Sequence, residues 1–283
     1  MTSTSGGEAV RGAPPAKQRF TGKVTVVTGS ARGIGRAVAV ALAREGASLV
    51  LADRDAGSLP GTLDAVTALG VPAASMLCDV RKRSDVEQLV ELAYKELGAV
   101  HCLVNVAGLY PVTPLFQLTE EEWDEVIDTN LKGPFLCAQA FGRRMVAHGV
   151  AGRIVNIGST SSQIARPGIA HYASSKAGVN QLTRVLAVEL APHGITVNAV
   201  CPGVIGTERL LASAEDPRNI AEHQAKLARI PLARLGTPEE IAAAVLFLLS
   251  EEASYCTGSL IFADGGYTCG IASYTAPSER RQE

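Results

Sequence analysis

From Lys23 onward the chain alternates between short runs rich in β-branched residues and longer stretches of helical periodicity. KVTVVT (23–28) precedes a helical pattern over Gly33–Arg44, ASLVLAD (47–53) precedes another, and AASMLCD (73–79) precedes one over Ser84–Leu97. HCLVNVAG (101–108) is followed by a long helical pattern from Glu120 to about His148, and RIVNIG (153–158) by one over Tyr172–Ala191. ITVNAV (195–200) leads into an irregular stretch, a last helix over Pro238–Ser250, and SLIFADGG (259–266). Strands that are apolar at almost every position must be covered on both faces, and a strand returned to its sheet through a helix lies parallel to the one before it. The pattern predicts an α/β domain with a parallel, about seven-stranded, doubly wound sheet. No composition break divides residues 22–267, so one domain is expected there.

Outside that span the composition changes. Residues 1–21 are rich in Gly, Ser, Thr, Pro and Ala without periodicity, which predicts a disordered leader. Residues 268–283 form a tail longer than the fold needs, whose first half, with Ile271 and Tyr274, is expected to pack on the body. Within the domain, 206–235 breaks the regular pattern and carries Pro217 and Pro231, as a mobile cover over a site would. The net charge of −2, without a basic run, offers nothing for nucleic acid to hold. The longest apolar run, Ile241–Leu249, is too short to span a bilayer. A small-molecule partner and a cytoplasmic location are therefore expected. Six scattered cysteines include no C-x-x-C pair and no metal-ligand spacing, and only Cys256 and Cys269 are close enough in sequence to suggest spatial proximity.

Three local patterns carry chemistry. The first is TGSARGIG, Thr28–Gly35, with Gly29, Gly33 and Gly35 between the first strand and the first helix. Glycines there let the backbone approach a pyrophosphate, and the helix N-terminus supplies N–H groups and partial positive charge. That places the fold in the Rossmann type, although G-x-x-x-G-x-G departs from the general G-x-G-x-x-G spacing. The second is Tyr172 and Lys176, four apart and so on one face of a helix, with Ser159 thirteen residues upstream. An ammonium about 4 Å from a phenol acts on it by roughly 4 kcal/mol at an effective dielectric near 20, about three units of pKa, enough to make a general acid or base of it near neutral pH. The third is Asn130, four residues before Pro134 inside a helical pattern. Proline has no N–H, so the Asn130 carbonyl should lose its helical partner, kink the helix and be free to hold a water.

Taken together, these motifs resemble the short-chain dehydrogenase/reductase family, over about Phe20–Tyr267. TGSARGIG is similar to that family's cofactor loop, including Ser30, Arg32 and Ile34; NVAG (Asn105, Ala107 and Gly108) to its fourth-strand motif; CPGVIGT (Pro202, Gly203, Ile205 and Thr207) to the turn that holds the nicotinamide; and DGG at Asp264 to the end of the last strand. Asn130, Ser159, Tyr172 and Lys176 resemble its catalytic tetrad. The resemblance implies that Tyr172 exchanges a proton with the substrate oxygen and Ser159 polarises that oxygen. It implies too that Lys176 binds the nicotinamide ribose and lowers the Tyr172 pKa, and that Asn130 joins a proton relay. Asp79 and Val80 resemble the pair that contacts adenine; a simple helix cap is the other reading of Asp79. Homo-oligomers, commonly tetramers, are usual in the family.

Cofactor choice turns on Asp53, at the end of the second strand. A carboxylate there accepts hydrogen bonds from both ribose hydroxyls and repels a 2′-phosphate, favouring NAD over NADP. Arg32 and Arg54 stand against this, since either could pair with a phosphate. The substrate walls are expected from 109–114, 160–169 and the cover. Tyr110, Gln163, Ile164, Ile169, Leu210 and Leu211 make them mostly apolar with few charges, which favours an apolar or cyclic secondary alcohol or its ketone over a sugar acid or a carboxylate-bearing substrate. A 3-oxoacyl-carrier-protein reductase using NADPH shares these motifs and is the alternative. A non-catalytic dinucleotide sensor would be expected to lack one of Ser159, Tyr172 and Lys176. The histidines, His171 included, are expected to have no role.

Overall fold

The computed structural model describes residues 18–214, 224–225 and 227–270. Most of the leader, Pro217 in the cover, and the tail from residue 271 on, with Ile271 and Tyr274, lie outside the described residues. Seven strands form one sheet: β1 (Val24–Thr28), β2 (Ser48–Asp53), β3 (Ala73–Leu77), β4 (Cys102–Asn105), β5 (Arg153–Ile157), β6 (Thr196–Pro202) and β7 (Leu260–Ala263). Their order is β3-β2-β1-β4-β5-β6-β7, and every pairing is parallel. The described helices are α1 (Gly33–Arg44), α2 (Leu59–Thr67), α3 (Arg83–Leu97), α4 (Glu120–Ile127), α5 (Gly133–Ala147), α6 (Ala170–Leu190), α7 (Glu208–Ala214) and α8 (Pro238–Leu249).

The strands are apolar throughout because alternate residues serve two cores. Val27, Leu51, Val104, Val155 and Val200 face α1 and α8, where Val38, Leu42, Ile241 and Val245 meet them. Their neighbours Val26, Val50, Leu103, Ile154 and Val197 face α3 and α5, against Val86, Leu89, Phe141 and Met145. Each large side chain fully buried this way contributes about 1.5–3 kcal/mol. α8 begins as its TPEE sequence predicts: the Thr237 hydroxyl accepts from the Glu240 N–H at 3.2 Å, and the Glu240 carboxylate accepts from the Thr237 N–H at 2.8 Å.

One expected element is broken. The long pattern from Glu120 to about His148 is α4, a π turn over Asp128–Lys132 in which the Gly133 N–H bonds the Asp128 carbonyl, and then α5. Pro134 cannot donate to Asn130, and the chain meets this by widening one turn rather than bending a continuous α-helix. Cys256 and Cys269, like the other four cysteines, are free thiols.

β1 and β4 are neighbours, yet the chain leaves them towards opposite faces of the sheet. Such a reversal opens a crevice beyond the carboxyl ends of the strands. Gly29, just after β1, has φ +66°, and a Cβ there would stand 2.5 Å from the Ala107 nitrogen after β4, so only glycine fits this approach.

Candidate active site

The crevice is a cleft of about 590 Å³. Its lining includes Gly29, Arg32, Ile34, Gly35, Asp53, Arg54, Asp79, Val80, Ala107, Gly108, Thr129 and Thr207, brought from six separate stretches of chain. Gly33 opens α1 beside it, with room for a Cβ only 3.4 Å from the Thr207 methyl. Ser30 is buried behind the wall, its hydroxyl 3.3 Å from the Ala52 carbonyl, and Asn105 donates to the Asn156 side chain at 2.8 Å. Pro202 is buried at the end of β6, Ile205 pairs with Gly236 in a β-bridge, and Gly203 packs on Asp264 so closely that a Cβ would lie 2.7 Å from its Cα. This bridge also closes the base of the cover, with Gly206 donating to the Gly236 carbonyl at 2.8 Å.

The donor set suits a dinucleotide. Arg32, at the N-cap of α1, gives its first turn no side-chain acceptor, and Ile34 and Gly35 of that turn line the cleft. At the end of β2, the Asp53 carboxylate accepts from the Ala31 and Asp55 N–H groups, each at 2.9 Å, which fixes its orientation. The arginines beside it all face carboxylates: Arg32 is 3.7 Å from Asp55, Arg54 is 3.2 Å from Glu125, and Arg81 is 2.6 Å from Asp79 and 3.2 Å from Glu125. The Arg81 guanidinium holds the Asp79 carboxyl below its ordinary range. Asp79 does not cap α3: the N-cap position is Lys82, which makes no side-chain bond.

At the other end of the cleft two of the tetrad candidates meet at Gly108, where a Cβ would lie 3.3 Å from Asn130 Oδ1 and 3.7 Å from Lys176 Nζ, and Lys176 in turn lies near Tyr172, which hydrogen-bonds Ser159. Asn130 is wholly buried in the π turn; its Oδ1 accepts from the Leu109 N–H at 2.7 Å, while its Nδ2 donates to the Leu109 carbonyl at 2.9 Å and to Ser175 Oγ at 3.1 Å. The side chain thus fixes the start of the 109–114 wall, a tie that the proline argument about its main-chain carbonyl did not foresee. Ser159 is held from below, because Asn180 donates to Ser162 Oγ at 2.8 Å and Ser162 donates to the Ser159 carbonyl at 2.6 Å. Sequence reading named neither support; a polar residue at 180 on the apolar face of α6 was the available signal.

The expected electrostatics need correction. Lys176 is buried and donates to the Ile157 carbonyl at 2.7 Å, with its ammonium 5.8 Å from the Tyr172 ring centroid. Burial lowers its pKa to about 8. Burial likewise pushes Tyr172 up to about 12, and the Ser159 hydrogen bond only partly counters that. In the protein by itself, desolvation of the phenolate therefore outweighs the ammonium that the i, i+4 spacing supplies.

The substrate walls also differ. Ile169 is buried and does not line the mouth, whereas Tyr110 stands edge-on to Tyr172 with ring centroids 4.5 Å apart. Arg166, overlooked inside the 160–169 wall, hydrogen-bonds the Tyr110 hydroxyl, its guanidinium carbon 5.5 Å from the ring centroid. His171 does have a partner: fully buried, its Nε2 is 3.3 Å from Glu122 Oε1, which also accepts from Thr113 Oγ1 at 2.6 Å. Of the cover, Leu210 and Leu211 lie on α7.

Comparison with known proteins bears on the family and the fold. A family described as enoyl-(acyl carrier protein) reductase matches residues 29–268. Glucose 1-dehydrogenase 2 of Bacillus subtilis (strain 168) is 38% identical over 251 residues, 88% of this chain and 96% of that protein. The short-chain reductase protein NovJ of Streptomyces niveus is 39% identical over 247 residues, 86% of this chain and 93% of that protein. Among solved structures, a short-chain type dehydrogenase/reductase from Mycobacterium marinum superposes with a TM-score of 0.83 at 39% identity, covering 89% of this chain and 98% of that one. An Agrobacterium tumefaciens protein assigned as a 2-deoxy-d-gluconate 3-dehydrogenase, with bound NADP, gives 0.82 at 36% identity, covering 90% and 100%.

Proposed function

The chain belongs to the short-chain dehydrogenase/reductase family, and on that premise we propose that it is an NAD-linked oxidoreductase interconverting a secondary alcohol and its ketone, with Tyr172 as the acid and base. When bound, the nicotinamide supplies or accepts the hydride. In the reductive direction the Tyr172 hydroxyl donates its proton to the substrate oxygen as that oxygen gains negative charge, and Ser159 donates a hydrogen bond to the same oxygen. Lys176 would hold the cofactor ribose, and Asn130, which meets it at Gly108, would join the relay that passes the proton onward. In the oxidative direction the proton returns to Tyr172.

The observation that carries the NAD reading is Asp53. Its carboxylate is fixed in the cleft by two amides, and Arg32 and Arg54, the cations among the described residues lining the cleft, each already face a carboxylate, so a 2′-phosphate there would meet a negative charge and compete for paired cations. NADPH with a 3-oxoacyl thioester is the second reading. The family description and the NADP-containing relative favour it, and the paired arginines oppose it. The wall at Leu109, Tyr110, Val112 and Ile164 supports a substrate with an apolar or cyclic body, although relatives are described as acting on sugars and sugar acids. Exposed Trp123, Phe135, Val185 and Val188 on α4–α6 support a homo-oligomer, a tetramer by family habit, which light scattering would test.

The deciding experiment follows dinucleotide absorbance with NAD and NADP in parallel, against cyclic, aromatic and aliphatic secondary alcohols and, in reverse, a 3-oxoacyl thioester. The expected outcome is NAD-dependent oxidation of a cyclic or apolar alcohol. A preference for NADPH with the thioester would overturn it.

A further inference from the structure

The mouth of the site holds a cation that the proposed reaction does not use. Arg166 sits on the loop between β5 and α6, partly buried, and that loop is pinned at both ends. Ile164 donates to the Thr160 carbonyl at 3.0 Å, and the Gly168 carbonyl accepts from the Thr113 N–H at 2.8 Å. Pro167 restricts the Arg166 backbone further. Gly168, at φ +81°, is so close to the opposite wall that a Cβ would lie 2.9 Å from a Val112 methyl carbon. The side chain is held as well, by the bond to the Tyr110 hydroxyl, which leaves its guanidinium carbon 5.5 Å from the centre of that ring.

Charge partners set Arg166 apart from the other arginines of the cleft. Arg32, Arg54 and Arg81 each have a carboxylate within 3.7 Å or less, but among the described residues Arg166 has none. A guanidinium is a planar fork of five donors that matches a carboxylate two-for-two, and only Tyr110 engages it here. The aromatic pair also fixes its reach. Tyr110 touches both the guanidinium and the Tyr172 ring, so the cation stands one side chain away from the phenol.

We infer that Arg166, oriented by Tyr110, is a specificity-determining residue that binds a carboxylate on the substrate, so that the physiological substrate is a hydroxy acid or oxo acid whose cyclic or apolar body spans from Tyr172 to Arg166. This rests on the alcohol–ketone reading and adds the anionic group to it, reversing the expectation from the sequence, which counted the wall as nearly free of charge and passed over Arg166. A carboxylate placed there completes the hydrogen bonding of a partly buried cation. It also turns the substrate so that the carbinol carbon, at the far end of the body, meets Ser159 and Tyr172.

Two measurements test the inference separately from the reaction. In the first, cyclohexanecarboxylate and its primary amide are titrated into the enzyme saturated with NADH. The wild type should bind the acid at least about tenfold more tightly than the amide, as one charge-assisted bond allows. Arg166→Gln should erase that difference with NADH affinity unchanged, and Arg166→Lys should keep part of it, retaining the charge but not the fork. In the second, hydroxycyclohexanecarboxylates are compared with their methyl esters under turnover. The acids should be favoured on the order of 10- to 100-fold in kcat/KM, and Arg166→Gln should level the two, with the methyl esters losing much less than the acids. Equal binding of acid and amide by the wild type, or an acid preference that survives Arg166→Gln, overturns the inference. Selective acid binding without turnover of either series overturns the alcohol–ketone reading and leaves the anion site standing. Turnover that is indifferent to the carboxylate does the reverse.

Discussion

The two ends of the cleft treat charge in opposite ways. Beside β1–β3, three arginines face Asp55, Asp79 and Glu125, and Asp53 is locked by two main-chain amides. Beside β4–β6, the cations Lys176 and Arg166 have a carbonyl and a phenol as partners instead of carboxylates. At the proposed nucleotide end each of these arginines is thus matched by a carboxylate and the Asp53 charge is left over, an arrangement that would suit a neutral pair of ribose hydroxyls. The reaction end leaves cations uncompensated, and burial there pushes Tyr172 and Lys176 towards their uncharged forms. An open electrostatic balance is what a site needs when charge must appear and disappear in the course of a reaction.

The largest test of this contrast is Tyr172→Phe. It removes the proton donor and acceptor but nothing at the nucleotide end, so kcat should fall by about 10²- to 10⁴-fold while NADH binds within about twofold of wild type. Retained turnover would remove the reaction end from its proposed place.

Lys176→Met comes next, read as stability. Lys176 titrates near 8 when folded and near its ordinary 10.5 when unfolded. Between those values the unfolded chain binds a proton that the folded one does not, so this residue makes stability rise with pH across that window. The variant should lose that rise and be more stable at pH 7, by up to roughly 3 kcal/mol, for the 2.5-unit difference. Tyr172 acts in the opposite sense and higher up, since its raised folded pKa makes stability fall as pH passes from its ordinary 10 to about 12. Thermal melts between pH 7 and 11 distinguish the two; a variant that is less stable at pH 7 would mean the ammonium is better satisfied than burial alone implies.

The smallest expected effect is at the nucleotide end. Asp53→Asn keeps the shape and one acceptor but deletes the charge, and the ratio of kcat/KM for NAD over NADP should fall by about tenfold, as expected for one partly exposed charge facing a phosphate. An unchanged ratio would place cofactor discrimination elsewhere in the cleft.

Much of this was legible beforehand for identifiable reasons. Strands apolar at consecutive positions, such as Leu49–Ala52, can exist only between two covered faces, so the parallel sheet followed from local pattern. The Gly29 turn and the Thr237 capping box are likewise local, because the constraint and the residue that meets it lie within a few positions of each other. In the candidate site, spacing along one helix did bring Lys176 beside the Tyr172 ring, 5.8 Å from its centroid, but not the lowered phenol pKa expected from it. Sequence reading failed where the partner comes from another element: His171 meets Glu122 on α4, and Asn130 meets Leu109 across the cleft.

The sequence by itself determined the class of fold and the alternation of strand and helix, and it singled out the glycine turn after the first strand and the residues proposed to do chemistry, because each depends on periodicity or on short-range spacing. Only the tertiary structure decided which charges are paired, how Tyr172 and Lys176 titrate, and that Arg166 reaches the mouth of the site. Those are set by burial and by contacts between residues far apart in the chain, and desolvation in particular belongs to no residue until the packing around it exists.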